Sequence, residues 1–237
     1  MKIVIVNSSP KTDRSNTHVM VEAFSRGAMA AGAEVENIFL ANYNIKPCLG
    51  CFSCWFKTPG KCVLNDDAEM ILNRMSDAEL LICATPLYAD NVSGIMKLLM
   101  DRMIIKSSPL IEIDKNGESR HVVKNSKLTK IGVISNCGFP EQDQFQVLQL
   151  LFQRLARNMN AELAVEIYRG EGPLLTAENA ELKPIVDEYK KLLEKSGKEA
   201  VTLGKITQPT INDLEKPLIP YEAYNRAINE RINDFNL

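Results

Sequence analysis

Residues 3–17 of this 237-residue chain read IVIVNSSPKTDRSNT. A short run of β-branched residues at 3–6 is followed by a loop rich in hydroxyl groups, and helix-forming sequence begins near Asn16. Continuous apolar runs of this length, bounded by turn residues, are typical of buried parallel strands. The stretch therefore predicts a strand, a polar loop and a helix, which together form the repeating unit of an α/β sheet.

The same alternation continues along the chain. Further apolar runs lie at residues 35–40, 80–84, 131–134 and 163–167. Helical spacing is found over residues 16–31, 66–75 and 92–105, and at the apolar positions 145, 148, 152, 155 and 159. This pattern predicts an α/β fold with a doubly wound, five-stranded parallel sheet, helices on both faces and a flavodoxin-like strand order.

Two segments do not fit the alternation. Residues 110–123 carry β-branched residues on both sides of Asn116-Gly117, a pair suited to a type I′ turn, and predict an inserted β-hairpin. We expect one core domain over residues 1–204 and a C-terminal extension over residues 205–237. Prolines in the extension are expected to break regular structure until a short helix over 221–232, which would pack on the core or on a second subunit.

Composition limits the classes of partner. The formal net charge is −2 and 24% of residues are charged, which gives no reason to expect a nucleic-acid partner. The N-terminus lacks the pattern of a signal peptide and no run is long enough to span a bilayer, so we expect a cytoplasmic protein without membrane contact. An apolar-rich hairpin and extension need to be covered, which favours a homodimer or homotetramer.

Ligands of such sheets bind outside the carboxyl ends of the strands. The loop after the first strand carries Ser9, Ser15, Asn16 and Thr17 at the start of a helix, where free N–H groups and the positive end of the dipole favour a phosphate. A polar turn with an N-cap is the alternative. The chain lacks G-x-x-x-x-G-K-[ST] and G-x-G-x-x-G at this position, which argues against a nucleoside triphosphate or a Rossmann-bound dinucleotide.

Two later loops suit a flat ring. Residues 85–94 contain Pro86, which fixes a turn, and Tyr88, which offers an aromatic edge. Residues 135–140 contain Gly138, where backbone amides can approach a ligand closely. A phosphate cradle and two such loops are what flavin mononucleotide (FMN) needs.

The three segments SSPK…SNT, TPLY with Lys97 and Asp101-Arg102, and NCGF resemble the NADPH-dependent FMN reductase branch of flavodoxin-like proteins. The resemblance covers about residues 1–170, and PLIPYE at 217–222 is similar to that group as well. The Asp13-Arg14 insertion before Ser15 departs from a common family loop. The resemblance implies the following cofactor residues: Ser9, Lys11, Ser15, Asn16 and Thr17 at the FMN phosphate, and Pro86, Leu87, Tyr88, Asn91, Cys137 and Gly138 around the isoalloxazine.

Four of the six cysteines follow a C-x2-C-x2-C-x7-C spacing: Cys48, Cys51, Cys54 and Cys62. Four thiolates in an open loop suit a [4Fe-4S] cluster. Structural zinc, a thiol–disulfide couple and a loop that serves the flavin pocket or a dimer contact without a cluster are the alternatives. Cys83 lies in an apolar run and is expected to be a buried small hydrophobe.

The cysteine spacing also resembles the compact motif of the archaeal and bacterial iron-sulfur flavoproteins. This resemblance implies an FMN-dependent oxidoreductase that passes electrons from a ferredoxin-like donor to the flavin through the cluster. One alternative is a cluster-free NAD(P)H-dependent reductase of FMN or of a small-molecule acceptor such as a quinone or nitroaromatic compound. A flavin-binding redox sensor without turnover is another. No catalytic side chain is assigned, because the flavin carries the chemistry.

Overall fold

The computed structural model describes residues 1–123 and 127–233, except for the side chain of Asn233. Seven strands lie in the described part: β1 (Lys2–Asn7), β2 (Glu34–Phe39), β3 (Leu80–Pro86), β4 (Ser107–Ile113), β5 (Ser119–Val123), β6 (Lys130–Asn136) and β7 (Glu162–Arg169). The helices are α1 (Asn16–Ala30), α2 (Ser53–Phe56), α3 (Ala68–Ser76), α4 (Gly94–Arg102), α5 (Gln146–Asn158), α6 (Lys183–Thr202), α7 (Gln208–Glu215) and α8 (Tyr221–Asn233).

A five-stranded, all-parallel sheet forms the centre of the molecule in the order β2-β1-β3-β6-β7. This order confirms the predicted flavodoxin-like arrangement. Alternate residues of β1 enter different layers of the core, because successive side chains of a strand point to opposite faces. Ile3 and Ile5 pack with α1 and α6, whereas Val4 and Val6 pack with α3, α4 and α5.

The sequence patterns did not predict α6, which packs closely along α1. A Cβ atom on Gly27 would lie 1.8 Å from the carbonyl oxygen of Glu194, and one on Gly197 would lie 2.0 Å from that of Phe24. The two helices therefore meet backbone to backbone, which only glycine permits at these positions. The contact closes the layer that covers one face of the sheet.

Strands β4 and β5 form an antiparallel hairpin outside the main sheet. The predicted type I′ turn at Asn116-Gly117 is wrong, because only Gly117 of this pair has a positive φ, at 79°. The Asp114 carboxylate accepts hydrogen bonds from the backbone N–H groups of Asn116 (2.9 Å) and Glu118 (3.0 Å). An aspartate in this position forms an Asx-type turn, and the wider loop follows from it.

The C-terminal segment contains more regular structure than the prolines predicted. Pro209 lies in the first turn of α7, where the missing N–H group costs no helical hydrogen bond, so the helix forms. Leu214 and Tyr224 are buried against the rest of the chain. Arg169 donates to the carbonyl of Lys216 (2.8 Å), and the buried Glu171 accepts from the N–H groups of Leu218 (2.7 Å) and Ile219 (3.2 Å). The segment thus packs on the end of β7.

Candidate functional site

The loops after β1, β3 and β6 are joined to one another at the carboxyl edge of the sheet. The Ser93 hydroxyl, just before α4, donates to the Ser8 hydroxyl (2.8 Å), and the Ser93 N–H donates to Thr85 Oγ1 (2.9 Å). The Leu87 N–H donates to the carbonyl of Asn136 at 2.9 Å. These bonds hold the three predicted ligand loops together at one edge of the sheet.

The loop after β1 ends at a capped helix. Ser15 is the N-cap of α1, and its hydroxyl accepts from the His18 N–H at 3.0 Å. The first-turn N–H groups of Asn16 and Thr17 have no acceptor within the helix and point towards this loop. Lys11 is exposed beside them. A dianionic phosphate fits this end of α1, because N–H donors, the helix dipole and a cation all favour negative charge.

Other polar groups of this loop already have partners. The Asn136 side chain donates to the hydroxyl of Thr17 at 2.8 Å, and Thr176 donates to Asn16 Oδ1 at 2.7 Å. Ser9 and Ser15 are buried. The structure thus brings the predicted residues Ser9, Lys11, Ser15, Asn16 and Thr17 to one place, where the side chains of three of them shape the loop. Their contact with a phosphate stays a prediction.

The loop after β3 forms a tight turn that exposes an aromatic ring. Tyr88 and Asn91 exchange backbone hydrogen bonds of 3.0 Å in both directions, and Ala89 and Asp90 between them have positive φ values of 48° and 56°. Two consecutive left-handed residues define a type I′ turn. The turn leaves the Tyr88 side chain 50% exposed, next to the buried Pro86. The turn therefore presents an exposed aromatic ring on the loop after β3.

The loop after β6 combines a buried thiol with open space. Cys137 is buried, and burial raises the pKa of its thiol to about 11, so it stays protonated at neutral pH. Gly138 is exposed, and a Cβ atom added to it would meet no heavy atom within 4 Å in the described structure. A flat ring can therefore approach the Gly138 backbone without a steric clash.

Sequence reasoning missed residues that support these loops from a distance. Tyr224 of α8 donates its hydroxyl to the carbonyl of Gly138 at 2.5 Å. A Cβ atom on Gly172 would lie 2.8 Å from the carbonyl of Cys137, so the turn after β7 packs directly under the same loop. The hydroxyl groups of Ser93 and Thr85 are visible in the sequence. Their hydrogen-bond partners are distant in the chain, so spacing alone does not predict them.

The four clustered cysteines line one small enclosed space. Cys48, Cys51, Cys54 and Cys62 surround a cavity of about 30 Å³, together with Arg102. Cys48 and Cys51 are exposed at its rim, and Cys54 and Cys62 are half-buried. All four are free thiols. The predicted C-x2-C-x2-C-x7-C set therefore converges, whereas Cys83 lies apart in β3, buried, with a thiol pKa raised to about 12 by burial.

Backbone geometry turns the cysteine loop inwards. Gly50 and Phe52 have positive φ values of 61° and 53°, which fold the chain between the first three cysteines. The N–H groups of Gly50 and Leu64 donate to the sulfur atoms of Cys48 (3.5 Å) and Cys62 (3.4 Å). Hydrogen bonds to ligand sulfurs are one of the means by which proteins tune iron-sulfur clusters.

The surroundings shift the pKa of two loop thiols in opposite directions. Burial raises the pKa of Cys54, and the neighbouring thiols of Cys62, Cys48 and Cys51 raise it further. Hydrogen bonds from Ser53 lower the pKa of the exposed Cys51. The cavity-lining Arg102 is 1% exposed, and its Nε atom is buried without a hydrogen-bond partner in the described structure. Asp66 already pairs with the guanidinium at Nη1 and Nη2, so the Nε–H is the donor left for a negatively charged group in this cavity.

The four thiols match an iron-sulfur cluster in donor type. No group of three or more His, Cys, Asp or Glu side chains in residues 1–123 and 127–233 is arranged to hold a metal ion. A cluster presents several irons, so its thiolates stand further apart than the ligands of one ion. The enclosed volume is small, and a cluster would require the exposed rim at Cys48 and Cys51 to move outwards.

The cysteine loop is anchored at both ends by one buried ion pair. Arg102 donates to the Asp66 carboxylate at 2.6 Å and 3.1 Å, and to the carbonyl of Lys46 at 3.0 Å. Asp66 follows the loop and Lys46 precedes it. Trp55, within the loop, donates to the carbonyl of Ile104 at 3.0 Å. The loop is therefore fixed at the C-terminal end of α4, about 13 Å along that helix from Ser93 and the carboxyl edge of the sheet.

No described helix is long and apolar enough to cross a membrane.

A family model described as NADPH-dependent FMN reductase matches residues 1–120 of this chain. An iron-sulfur flavoprotein of Methanocaldococcus jannaschii is 38% identical over 102 residues, which cover 43% of this chain and 51% of that protein. One from Archaeoglobus fulgidus is 37% identical over 102 residues, covering 43% of this chain and 48% of that protein. The matched part thus spans about half the length of these relatives.

Solved structures show the same fold at low identity. An FMN-dependent NADH-azoreductase from Bacillus anthracis, in complex with FMN, has a TM-score of 0.62 at 16% identity and covers 85% of this chain and 99% of its own. An NAD(P)H:quinone oxidoreductase from Methanothermobacter marburgensis has a TM-score of 0.61 at 14% identity, covering 84% and 96%. At such identities the likeness concerns the fold.

Proposed function

We propose that this chain, which belongs to the NADPH-dependent FMN reductase family, is an FMN-dependent oxidoreductase. Its cofactor lies at the carboxyl edge of the sheet in this proposal. The observation that carries the proposal is the joined set of three loops at this edge. One of these loops ends at the capped N-terminus of α1, another exposes the Tyr88 ring, and the third leaves free space at Gly138.

The chain's own residues bind and orient the cofactor in this proposal. The first-turn N–H groups of α1, with Lys11 and the surrounding residues Ser9, Ser15, Asn16 and Thr17, hold the phosphate. The Ser15 hydroxyl contributes as the N-cap, because it already donates to the carbonyl of Thr12 at 2.7 Å. Pro86, Leu87, Tyr88 and Asn91 on one loop, and Cys137 and Gly138 on the other, frame the ring. The protonated Cys137 thiol donates to the carbonyl of Phe139 at 3.2 Å and places no charge beside the ring. FMN, when bound, supplies a ring that accepts hydride or single electrons.

We further propose that Cys48, Cys51, Cys54 and Cys62 hold a [4Fe-4S] cluster and that a ferredoxin-like protein is the electron donor. The shared cavity, the N–H donors to Cys48 and Cys62 and the unpaired Arg102 Nε support this assignment. The names of the curated relatives agree with it. A [4Fe-4S] cluster, when bound, supplies a one-electron relay. The exposed position of Cys48 and Cys51 leaves the loop accessible to a protein donor.

The test is purification without oxygen, followed by a visible spectrum and assays of iron, acid-labile sulfide and FMN. About four irons and four sulfides per flavin are expected. The Cys51→Ala variant should lose iron and the associated colour while it retains FMN, and Cys83→Ala is the matched control that should retain both. Flavin without iron in the wild-type protein would refute the cluster and leave the FMN assignment intact. Absence of both would refute the whole proposal.

The exposed Tyr88 favours a second route for electrons. Its ring and that of Phe139, which is 63% exposed, are open to solvent on two of the proposed cofactor loops, where a nicotinamide could stack. In this cluster-free alternative the protein is an NAD(P)H-dependent reductase of FMN or of a small-molecule acceptor. Steady-state oxidation of NADH and NADPH with a quinone acceptor tests it. Turnover that persists in the Cys51→Ala variant supports this route, whereas turnover that disappears with the iron excludes it.

Phosphate binding is tested separately at Lys11. Removing one exposed cation from a phosphate site should raise the FMN dissociation constant about tenfold in Lys11→Gln. Lys198→Gln, an exposed lysine on α6, is the matched control. Titrations of apoprotein monitored by flavin fluorescence give both constants. Equal affinities in the two variants would contradict the proposed placement of the phosphate.

We also propose a homodimer or homotetramer, in which residues 1–204 form the flavin-binding domain and residues 205–237 its extension. The hairpin supports an assembly, because Leu110, Ile111 and Ile113 are each 66–67% exposed on one strand. Sedimentation equilibrium of the wild type and of Ile113→Lys tests this. An unchanged, monomeric mass for both would refute it.

A further inference from the structure

We propose that this chain binds an amphipathic carboxylate, with an apolar body and one negative charge, in a second cavity remote from the flavin edge. The cavity has a volume of about 790 Å³ and lies between the β4–β5 hairpin, α5 and the C-terminal ends of α3 and α4. This volume is in the range of ordinary small-molecule sites. The proposal goes beyond the oxidoreductase function and does not depend on FMN or a cluster.

The position of the cavity separates it from the flavin loops. Leu81, near the start of β3, and Leu128, just before β6, both line it. Met159, which follows α5, lies in the same wall. These residues mark the amino ends of the strands, whereas the three flavin loops follow the carboxyl ends. A strand of seven residues such as β3 spans roughly 20 Å, so the two sites occupy opposite edges of the sheet.

The floor of the cavity is apolar and adaptable. Four methionines line it: Met75, Met100, Met103 and Met159. Methionine side chains are unbranched and polarizable, and they adjust to ligands of irregular shape. Leucine and isoleucine residues complete the wall. Such a surface favours the burial of an alkyl or aryl body, because binding removes apolar area from water.

The rim gives the expected sign of the ligand's charge. Lys106, Arg120, Arg154 and Arg157 line the cavity, and no aspartate or glutamate of the described residues does so. The arginines have carboxylate partners outside the lining, as Arg120 does with Glu112 at 2.8 Å.

Lys106 differs from the three arginines. Its ammonium donates to the neutral amide of Asn73 at 2.6 Å, and it has no ion pair within the described structure. It is therefore the rim cation with unneutralised charge. A carboxylate seated at Lys106 would gain a charge-assisted hydrogen bond that a neutral ligand of the same shape could not make.

The experiment is isothermal titration calorimetry of dodecanoate, below its micellar concentration, into the protein as purified with its cofactors. The neutral alcohol dodecanol serves as the uncharged probe. We expect dodecanoate to bind at one site per chain and dodecanol to bind at least tenfold more weakly. Lys106→Gln should weaken dodecanoate about tenfold and leave dodecanol unchanged. Lys97→Gln, an exposed lysine on α4 outside the cavity, should change neither constant.

A second variant tests the cavity itself. Met100→Trp fills the apolar floor and should abolish binding of both probes, while circular dichroism confirms that the variant is folded. Equal affinity for acid and alcohol, an unaffected Lys106→Gln variant, or no binding of dodecanoate would overturn the proposal. A different result would assign the cavity to a second copy of this chain instead. In that case the wild type does not bind dodecanoate, and Met100→Trp no longer self-associates in sedimentation velocity.

Discussion

The Asp66→Asn substitution should destabilise the protein by about 3 kcal/mol. The carboxylate is fully buried and accepts two hydrogen bonds from the equally buried Arg102. Removing one partner of a buried ion pair costs roughly 3–5 kcal/mol, because the other charge stays in the interior without compensation. Asparagine retains one oxygen that can accept from the guanidinium, which places the expected loss at the lower end of this range.

The matched control is Asp101, the neighbour of Arg102 on α4. Asp101 pairs with Lys97 at 2.5 Å, but the two side chains are 46% and 56% exposed. Exposed pairs of this kind contribute about 0.3–0.5 kcal/mol. Asp101→Asn should therefore lower the free energy of unfolding by less than about 0.5 kcal/mol. Both changes replace an ion-paired aspartate with asparagine, so the contrast compares a buried, fully hydrogen-bonded carboxylate with an exposed one.

Urea unfolding followed by two probes gives the measurement. Trp55 is the single tryptophan of the sequence and lies within the cysteine loop, so its fluorescence reports the segment that the ion pair anchors. Far-ultraviolet circular dichroism reports the whole sheet and its helices. If Asp66→Asn and Asp101→Asn differ by less than about 1 kcal/mol with both probes, the reasoning about the buried pair fails.

The effect should depend on pH in a defined direction. Burial alone would raise the pKa of Asp66, but hydrogen bonds from Arg102 and from the N–H groups of Lys46 and Ala68 outweigh it and lower the pKa. A lowered carboxyl pKa contributes stability above its unfolded value of about 3.9, and that contribution is lost as the pH falls through the folded pKa. The difference in free energy of unfolding between the wild type and Asp66→Asn should therefore be largest at pH 7 and should disappear as the pH falls through the folded pKa of Asp66.

Two further changes test the helix contact and the C-terminal anchor. Gly27→Ala should lower the free energy of unfolding in urea by about 2–3 kcal/mol, because the new methyl group meets the main chain of α6. Gly94→Ala has open space around the new atom, so it should leave the free energy of unfolding unchanged or raise it by up to about 1 kcal/mol. Equal costs would contradict the backbone contact. Tyr224→Phe should lower the free energy of unfolding by about 1 kcal/mol and weaken FMN binding severalfold, because the loop at Gly138 loses its hydrogen bond. Tyr221→Phe, on the same helix, should leave the affinity for FMN unchanged. An unaltered flavin affinity in both tyrosine variants would separate α8 from the flavin edge.

The central sheet was predictable because four of its five strands contain continuous apolar runs, and β3 is buried along its whole length. Edge strand β2 carries Glu36 and Asn37 among its apolar residues, so its signal was weaker. Helix α6 was missed although Val186, Tyr189 and Leu193 follow helical spacing, because Ser196 and Gly197 interrupt that apolar pattern on the same buried face. Close backbone packing selects small residues, and small residues resemble surface or turn sequence. Helix α7 was missed for a related reason, because Pro209 suggests a break and is harmless in a first turn.

The polar loops of the candidate site were predictable from their position after each strand, but the bonds that join them were not. Ser93 and Ser8 are 85 residues apart, and Tyr224 and Gly138 are 86 apart. Spacing along a chain carries no information about such pairs until the fold is known. The Asn116-Gly117 signal failed in the opposite way, because a local competitor, the Asp114 side chain, sets the turn instead.

The hydrogen bond between Tyr224 and Gly138 sets an order of assembly on the ribosome. Chains emerge from the N-terminus, and Gly138 leaves the ribosome 86 residues ahead of the tyrosine that holds its carbonyl. All strands of the central sheet precede α8 in the chain. A nascent chain can thus complete its hydrophobic layers while this loop still lacks its anchor. The loop at Gly138 gains this hydrogen bond only after Tyr224 has been synthesised, so it is fixed later than the sheet that carries it.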